Sequence, residues 1–214
     1  MKLKQLESLL EDVEVFEDAN YMLEQYPTTP RHAANMVWLM EENYGDVEGK
    51  VVLDLGCGCG ILSIASVMMG SGKTIGVDID ESALEVARRN LDEFEMDDVV
   101  DLVHCDVSDG LQGLFLPGMV DTVVMNPPFG TRVKGIDMVF LRQGVEIAST
   151  AVYSLHKTST REHIAKKAKQ WGCTGTVIGQ LRFPLANVYK FHRKKEVDVD
   201  VDLWRLDVSK KTLD

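Results

Sequence analysis

One tetrapeptide of this 214-residue chain combines residue types that predict chemistry: Asn126-Pro127-Pro128-Phe129. The side-chain oxygen of Asn126 and the proline-restrained carbonyl of Pro127 are two fixed acceptors for the two N–H bonds of a planar amine. An exocyclic base amine or a side-chain amide held in this way would direct its nitrogen lone pair at an electrophilic carbon. Phe129 could stack on the planar group. The tetrapeptide therefore predicts transfer to a planar nitrogen, with positioning as the main catalytic resource.

The position of the tetrapeptide favours this chemical interpretation. It follows the apolar run 121–125, at the carboxyl end of a predicted strand, where open α/β sheets bind their ligands. No Ser, His and Asp combination suggests an activated nucleophile, and His156 and His163 are interpreted as surface contacts or caps rather than catalytic bases. The alternative is a tight Asn-Pro-Pro turn with no chemical role.

A glycine triplet at residues 56–60, Gly-x-Gly-x-Gly, predicts a ligand-binding loop. Glycine is needed where a ligand lies directly over the backbone, because a side chain would block it. Asp78 ends the next apolar run, where its carboxylate can accept hydrogen bonds from two ribose hydroxyls. Asp106 follows the third run and could accept from an adenine amino group, with Val107 offering a backbone N–H. Turn or cap roles for the two acids are the alternative; together with the glycines, they predict a nucleoside-containing cofactor.

Alternating strand and helix patterns must position these segments. Predicted strands lie at 51–55, 74–78, 100–104, 121–125, near 151, at 176–181 and at 197–206. Predicted helices lie at 61–69, at 82–94, from 137 towards the strand near 151, and at 161–170. This alternation predicts an α/β fold with a doubly wound, mostly parallel seven-stranded sheet. The Val-Asp alternation from Val197 onward has one apolar and one polar face, which predicts an antiparallel C-terminal strand near the sheet edge.

The first 49 residues show a different pattern. An acidic amphipathic helix is predicted over residues 1–20 and a second helix over 30–43. Two prolines make the segment between them a turn or an extended loop. We therefore divide the chain into an N-terminal helical extension and cofactor lid, residues 1–49, and a catalytic domain, residues 50–214.

The charge of the chain is unevenly distributed. The net charge is −11, from 34 acidic and 23 basic residues. Residues 151–195 nevertheless contain ten Lys or Arg and one acid, a net charge of +9. A local basic block on an acidic protein suggests an anionic partner bound on one face. The alternative is a set of solvated surfaces that meet no partner.

Composition excludes several classes of protein. Hydrophobic residues are 45% and charged residues 27%, which are ordinary globular values. No apolar run suggests a transmembrane helix, and the N-terminal residues lack a signal-peptide stretch. Cys57, Cys59, Cys105 and Cys173 match neither a disulfide framework nor a zinc ligand set, so no metal site is predicted. We expect no membrane association and a location in a reducing compartment, the nucleus and cytoplasm.

The segment from Asp54 to Gly60 resembles the first motif of the class I S-adenosylmethionine-dependent methyltransferases: an acid, one residue, then Gly-x-Gly-x-Gly. One residue separates the second and third glycines, whereas the dinucleotide-binding fingerprint has two. The resemblance spans roughly residues 50–206 and implies S-adenosyl-L-methionine as the cofactor. It implies cofactor contacts from the loop and from the two strand-end acids: Asp54, Gly56, Gly58, Cys59 and Asp78.

Asn-Pro-Pro-Phe resembles the signature of methyltransferases that modify adenine N6, guanine N2 or glutamine N5. It occurs together with Gln-Tyr-Pro-Thr at 25–28 and Ala-Val-Tyr-Ser-Leu-His-Lys at 151–157. The combination is similar to a eukaryotic family of N6-adenine methyltransferases of small-subunit (18S) ribosomal RNA, over nearly the whole chain. This resemblance implies a small zinc-binding activator subunit as partner, and Gln25 and Thr28 folded over the cofactor.

RNA as substrate would give the basic block a role, because single-stranded RNA binding favours cations interleaved with rings such as Tyr189, Phe191 and His192. The basic residues predicted to bind RNA are Lys157, Arg161, Lys166, Lys167, Lys190, Arg193, Lys194 and Lys195. A glutamine-N5 methyltransferase of a translation factor is the alternative enzyme, and a catalytically silent cofactor-binding module is a third hypothesis. The basic block favours RNA, because a protein loop needs no phosphate contacts.

Overall fold

The computed structural model of the chain describes residues 1–16, 18–111, 113–116, 118–185 and 197–211. Its strands are β1 (Val51–Leu55), β2 (Lys73–Asp78), β3 (Val100–His104), β4 (Thr122–Met125), β5 (Ala151–Lys157), β6 (Thr174–Leu185) and β7 (Val197–Asp207). Its α-helices are α1 (Leu3–Leu10), α2 (Pro30–Tyr44), α3 (Ile61–Met68), α4 (Glu81–Glu93), α5 (Ile136–Ile147) and α6 (Arg161–Gln170).

One mixed sheet joins these strands in the order β3-β2-β1-β4-β5-β7-β6. Strands β1 to β5 pair in parallel, and β7 is antiparallel to both of its neighbours, β5 and β6. The predicted α/β fold, a doubly wound and mostly parallel sheet with an antiparallel C-terminal strand, is confirmed. The strand order changes direction at β1, with β2 on one side and β4 on the other. Open α/β sheets bind their ligands at such a switch point.

Local sequence signals account for the boundaries of several helices. Helix α2 begins with a proline, and the Thr29 hydroxyl caps it by accepting a hydrogen bond from the backbone N–H of His32 at 3.2 Å. It ends at Gly45, whose φ of +64° suits glycine. Helix α4 is capped by Asp80, which accepts from the N–H of Ser82 at 3.0 Å. These residues mark the starts of α2 and α4 and the end of α2, close to the predicted boundaries.

The predicted helix over residues 1–20 is wrong, because α1 ends at Leu10. Beyond it, the backbone N–H of Glu14 donates to Asn90 Oδ1 at 2.9 Å, and Asn90 Nδ2 donates back to the Glu14 carbonyl at 3.0 Å. This pair of bonds to a side chain of α4 replaces the bonds that a continued helix would make. Contacts with a distant element thus override the local helical pattern.

The N-terminal helices share a hydrophobic core with the sheet. Leu6 and Leu10 of α1 and Met36 of α2 are fully buried in one cluster with Val52 of β1 and Tyr153 of β5. The first 49 residues are therefore packed directly on the remainder of the chain. The boundary between residues 49 and 50 stays a prediction.

Strand β7 differs from its predicted amphipathic form along half of its length. Asp198 and Asp200 are exposed, as the Val-Asp alternation predicts. Every residue from Val201 to Trp204 is buried, because one face of this stretch joins the core cluster that contains α2 and the other joins the cluster that contains α6. Asp202 is fully buried there and accepts hydrogen bonds from Arg161 Nε at 2.7 Å and Thr158 Oγ1 at 2.8 Å.

The cysteines form neither a disulfide nor a reactive pair. All four are free, and burial raises the pKa of the Cys57 thiol far above its ordinary value and that of Cys59 to about 12. Both thiols are therefore neutral at physiological pH. In the described part of the chain, no three His, Cys, Asp or Glu side chains form a group that could hold a metal ion. No helix in these ranges is long and apolar enough to cross a membrane.

Candidate active site

The candidate active site lies where the ends of β1, β2 and β4 meet. Leu55, the last residue of β1, pairs with Val77 of β2 on one side and Met125 of β4 on the other. The residues that follow lie at the same level of the sheet, so the glycine loop is placed beside Asp78 and Asn126. The register of three strands thus brings together segments that are far apart in the sequence.

The glycine loop can be built only without side chains at two positions. Gly56 and Gly58 have φ values of +71° and +53°. A Cβ atom at Gly56 would lie 3.1 Å from the Phe140 ring, and one at Gly58 would lie 3.0 Å from the Phe16 ring. The N–H of Gly58 donates to Asp78 Oδ2 at 2.8 Å. A side chain at either glycine would both strain the loop and crowd the ring beside it.

Asp78 is held rigidly next to the loop. Besides the bond from Gly58, its Oδ1 accepts from the backbone N–H of Asp80 at 2.9 Å. Burial raises the pKa of Asp78 although these two N–H groups oppose the rise. The carboxylate is fixed by backbone donors and borders the cleft, with lone pairs left to accept from ligand hydroxyls.

Asp54 is placed differently from the other predicted cofactor residues. It is fully buried, it is absent from the lining of the cleft, and its Oδ2 accepts from Ser63 Oγ of α3 at 2.7 Å. Its Oδ1 has no partner in the described residues, and burial raises its pKa to about 7. This geometry links β1 to α3 behind the glycine loop. A direct cofactor contact from Asp54 stays a prediction.

Asp106 serves as a cap and also borders the cleft. Its Oδ1 accepts from both the N–H and the hydroxyl of Ser108, each at 2.7 Å, which caps a short 3₁₀ turn beginning at Val107. Both Asp106 and Val107 line the cleft. The cap and the predicted ligand contact are therefore compatible.

A cleft of about 290 Å³ opens above these strand ends. That volume is close to the lower end of small-molecule sites, roughly 300–1,000 Å³. Among the described lining residues there are four carboxylates and no Lys or Arg. The four are Glu14, Glu24, Asp78 and Asp106. An apolar, acidic cleft suits a ligand that carries positive charge.

The acceptor tetrapeptide forms one wall of the cleft. All four of its residues line it, and Asn126 Nδ2 donates to Thr28 Oγ1 at 2.9 Å. Phe129 meets the ring of Phe183 edge-on at 6.1 Å between centroids, and Lys157 Nζ lies 5.8 Å from the centroid of the Phe129 ring. The predicted catalytic residues are thus assembled, with a cation beside the proposed stacking ring.

Residues 20–28, which we call the lid segment, form the opposite wall. Gln25 and Thr28 both line the cleft, as predicted from the resemblance. Gln25 Nε2 donates to Asp80 Oδ2 at 2.6 Å, and Gln25 Oε1 accepts from the N–H of Asn20 at 2.6 Å. The lid segment is thereby tied to the cap of α4 near Asp78.

A second set of contacts ties the lid segment to the loop after the tetrapeptide. Glu24, which has a φ of +52° and is buried, accepts the backbone N–H of Arg132 at 2.7 Å. The Arg132 guanidinium lies 3.4 Å from the centroid of the Tyr21 ring. The lid segment thus contacts both the cofactor side and the acceptor side of the cleft.

Sequence reasoning missed several lining residues. Phe16 and its neighbours line the cleft but were assigned to a helix, and Ile136 and Phe140 of α5 were given no site role. Phe140 carries no signal beyond its place in a helical pattern. Nothing in the sequence near Phe16 predicts its place in the cleft, because the non-helical course of the chain there depends on the bonds between Glu14 and Asn90.

The structure also contains a Ser-His-Asp contact chain that the sequence analysis did not find. Ser154 Oγ lies 2.9 Å from His156 Nε2, and His156 Nδ1 lies 3.5 Å from Asp137 Oδ2. Ser154 and His156 are buried and neither lines the cleft, so His156 is not the surface contact that was expected. We interpret the chain of contacts as support for the start of α5, where Asp137 also lies close to Gly130.

The described part of the basic block lies on β5, α6 and β6, and Lys157 at the end of β5 is next to Phe129 of the tetrapeptide. The residues that we call the basic surface are Lys157, Lys166, Lys167, Lys169 and Arg182. Lys166, Lys169 and Arg182 are exposed, and the other two are half-buried. Arg161 also lies here, but it forms a two-bond ion pair with Asp202.

The RNA-binding role of these residues stays a prediction. Arg161 has its charge matched within the chain, and Arg182 lies 3.9 Å from Asp200. The exposed lysines of the basic surface form no ion pair with another described residue. The remaining predicted RNA contacts lie outside the described residues: Lys190, Arg193, Lys194 and Lys195.

Comparison with known proteins agrees with this geometry. The model of the ribosomal protein L11 methyltransferase (PrmA) family matches residues 28–127, the part that contains the glycine loop and ends within the tetrapeptide. The rRNA N(6)-adenosine-methyltransferase METTL5 of Danio rerio is 50% identical over 96% of this chain and 98% of its own length. The Drosophila melanogaster Mettl5 of the same description is 47% identical over 97% of both chains.

Among solved structures, the Pyrococcus horikoshii protein PH1948, described as a candidate RNA methyltransferase, superposes with a TM-score of 0.83. It is 33% identical and the match covers 100% of this chain and 98% of that one. The matches to the fish and fly relatives thus cover nearly the whole of this chain. This chain belongs to the METTL5 family of rRNA N6-adenosine methyltransferases.

Proposed function

We propose that this protein transfers a methyl group from S-adenosyl-L-methionine to N6 of an adenine in small-subunit (18S) ribosomal RNA. The observation that carries the proposal is the Asn-Pro-Pro-Phe wall, which shares one cleft with the glycine loop and Asp78. A planar amine bound at that wall would lie next to a nucleoside cofactor bound at the loop. End-to-end similarity to rRNA N6-adenosine methyltransferases supports adenine as the acceptor.

The residues of the cleft fit S-adenosylmethionine. Asp78 would accept hydrogen bonds from the ribose hydroxyls, the glycine loop would lie against the methionine end, and Asp106 and Val107 would face the adenine. Four carboxylates without a described cation suit a cofactor that carries a sulfonium and an ammonium charge. When bound, the cofactor supplies a methyl group activated by the sulfonium.

The chain's own contribution to the reaction is to hold the amine. Asn126 Oδ1 and the Pro127 carbonyl accept the two N–H bonds, which turns the nitrogen lone pair towards the cofactor side of the cleft. Phe129 stacks on the adenine ring. With the cofactor bound, the nitrogen held by Asn126 and Pro127 would take the methyl group, the electron pair of the broken carbon–sulfur bond would stay on sulfur, and the amine would then release one proton. Because positive charge disappears from the sulfur in the transition state, positioning suffices without a strong base.

The basic surface supports an RNA substrate. Lys157 lies beside Phe129, and exposed lysines of α6 continue the positive surface away from the cleft. A strand whose phosphates follow this surface would present an unstacked adenine to the tetrapeptide. The adenine must be splayed out of any helix to reach both acceptors.

A small zinc-binding activator subunit is proposed as the partner, as the family resemblance implies. Support comes from β3, an edge strand of the sheet, and from exposed apolar residues in the segment that follows it, Leu114, Leu116 and Met119. Exposed apolar patches and unpaired strand edges are common sites of association.

We also propose that the protein acts in the nucleus and cytoplasm, where ribosomal RNA is made and used; cell fractionation tests this.

The direct test is incubation of unmodified 18S ribosomal RNA with the chain, the activator subunit and methyl-labelled cofactor, followed by mass spectrometry of the nucleosides. We expect the label in N6-methyladenosine. Label found instead in glutamine of an added translation factor would favour the glutamine-N5 alternative. RNA binding that is insensitive to ionic strength would also count against an RNA substrate.

A further inference from the structure

The nitrogen and the oxygen of the Asn126 side-chain amide differ in their hydrogen bonds. Its Nδ2 donates to the hydroxyl oxygen of Thr28 at 2.9 Å, whereas its Oδ1 accepts no hydrogen bond in the described residues. The two groups come from distant parts of the chain, one from the lid segment and one from the end of β4. The contact therefore exists only when the lid segment lies over the cleft.

The direction of this amide matters for the proposed reaction, on which the inference rests. An amine donor needs an acceptor, and only the Oδ1 end of an asparagine side chain is an acceptor. If the amide turned by 180°, its NH₂ group would face the substrate amine and the acceptor would be lost. In the structure Thr28 Oγ1 is the acceptor in this contact, so its O–H points away from Asn126 and the contact holds Nδ2, rather than Oδ1, at Thr28.

The surroundings of Thr28 hold its hydroxyl in place. Thr28 is 7% exposed, and the lid segment that carries it is tied to the cap of α4 by the bond from Gln25 Nε2 to Asp80 Oδ2. A buried side chain on a segment that is tied in this way has little freedom to move with a rotating amide. The lid segment thus restrains the side chain of Asn126 through Thr28.

We propose that Thr28 is a positioning residue that sets the direction of the Asn126 amide, so that closing the lid segment and completing the acceptor site are one event. Thr28 accepts through its oxygen and keeps its O–H free to donate, so a contact with the cofactor is compatible with this role. The proposal assigns to Thr28 an effect on the turnover step that a cofactor contact would not have.

The first test compares Thr28→Val with Thr28→Ser in the complex with the activator subunit. Loss of one oriented hydrogen bond is expected to lower kcat about tenfold at saturating cofactor in the Val variant. The Kd for S-adenosylmethionine, measured by calorimetry, should change less than the rate. Ser keeps the oxygen and should recover most of kcat. A Val variant whose cofactor Kd rises while kcat stays at the wild-type value would overturn the proposal.

Thr29→Val is the matched control, because it removes a hydroxyl from the adjacent residue without touching Asn126. Loss of the helix cap should lower the melting temperature but leave kcat unchanged. If Thr29→Val lowers kcat as much as Thr28→Val does, a general loss of structure explains both and the proposal is wrong.

A second test uses Asn126→Asp. A carboxylate presents an acceptor in either direction, so the direction of the group at residue 126 no longer matters. Thr28→Val should therefore cost kcat much less when it is combined with Asn126→Asp than when it is made in the wild type. An equal cost in both backgrounds would overturn the proposal. If wild-type protein itself transfers no methyl group, the proposed function fails; if it does and Thr28 shows no effect, only this inference fails.

Discussion

The cleft and the basic surface are neighbours with opposite charge and opposite exposure. The cleft is a concave site that contains four carboxylates and no Lys or Arg among its described residues. The basic surface is open to solvent along α6 and β6. The two meet at Phe129, which lines the cleft and lies 5.8 Å from Lys157 Nζ.

This difference explains how a chain of net charge −11 can take a polyanion as substrate. Salt screens the field of exposed charges over a Debye length, about 8 Å at physiological salt, so local charge acts mainly on the ligand next to it. A cationic cofactor and an anionic RNA can therefore each meet the local charge that attracts it.

Asn126→Ala changes the tetrapeptide, where the cleft and the basic surface meet, and should lower kcat more than any other variant proposed. Removing an acceptor that acts on the reacting group is expected to lower kcat on the order of 10²- to 10³-fold. The cofactor Kd should stay within a factor of a few, since the other side of the cleft is intact. Single-turnover methylation and calorimetry measure the two quantities. Methylation near the wild-type rate would remove Asn126 from the acceptor site.

Asp78→Ala acts on the cleft alone. Loss of a carboxylate that accepts two hydroxyl bonds should weaken cofactor binding about 10- to 100-fold. Part of the rate should return at high cofactor concentration, and RNA affinity should not change. Asn at this position is the milder comparison, because it keeps one acceptor. An unaltered cofactor Kd in the Ala variant would show that Asp78 does not hold the ribose.

Reversal of two charges on the basic surface, Lys166→Glu with Lys169→Glu, acts on the other region alone. RNA affinity should fall about tenfold at physiological salt, and the slope of log K against log salt should shrink by about 2. Lys2→Glu with Lys4→Glu makes the same charge change at another exposed place and is the control. Equal losses in both double variants would mean that overall charge, not this surface, governs binding.

Asp54→Asn should have the smallest effect on either region, and its main effect is on stability. Burial raises the pKa of Asp54 from 3.8 to about 7, so the folded state binds a proton that the unfolded state releases between those values. The stability from this proton is complete below about pH 4 and is lost as the pH rises through 7. Asn keeps an acceptor for Ser63 and has no charge to bury.

The measurement is urea unfolding of wild type and Asp54→Asn between pH 5 and 8. Relative to the variant, the wild type should lose stability with a slope of at most about 1.4 kcal/mol per pH unit up to about pH 7. The difference should level off above that pH. Parallel pH profiles for the two proteins would show that Asp54 keeps an ordinary pKa when folded.

Residue types and spacing were sufficient for the fold and for the main elements of the site. The alternation of strand and helix patterns predicted the parallel sheet, because each strand must be covered on both faces. The glycine triplet and the strand-end acids predicted the loop and Asp78, because a ligand over the backbone imposes those residue types. The tetrapeptide after β4 predicted one wall of the cleft, because an asparagine and two prolines at a strand end place two fixed acceptors there.

Contacts between distant elements could not be predicted in this way. The end of α1 depends on Asn90 of α4, and the burial of Asp202 depends on helices that cover both faces of β7. The bond from Asn126 to Thr28 joins residues 98 positions apart. A local pattern records which face of an element is apolar, whereas the partner of each polar group is decided when the chain packs. The sequence therefore determined which groups the site contains, and tertiary packing decided how they are held and in which direction they point.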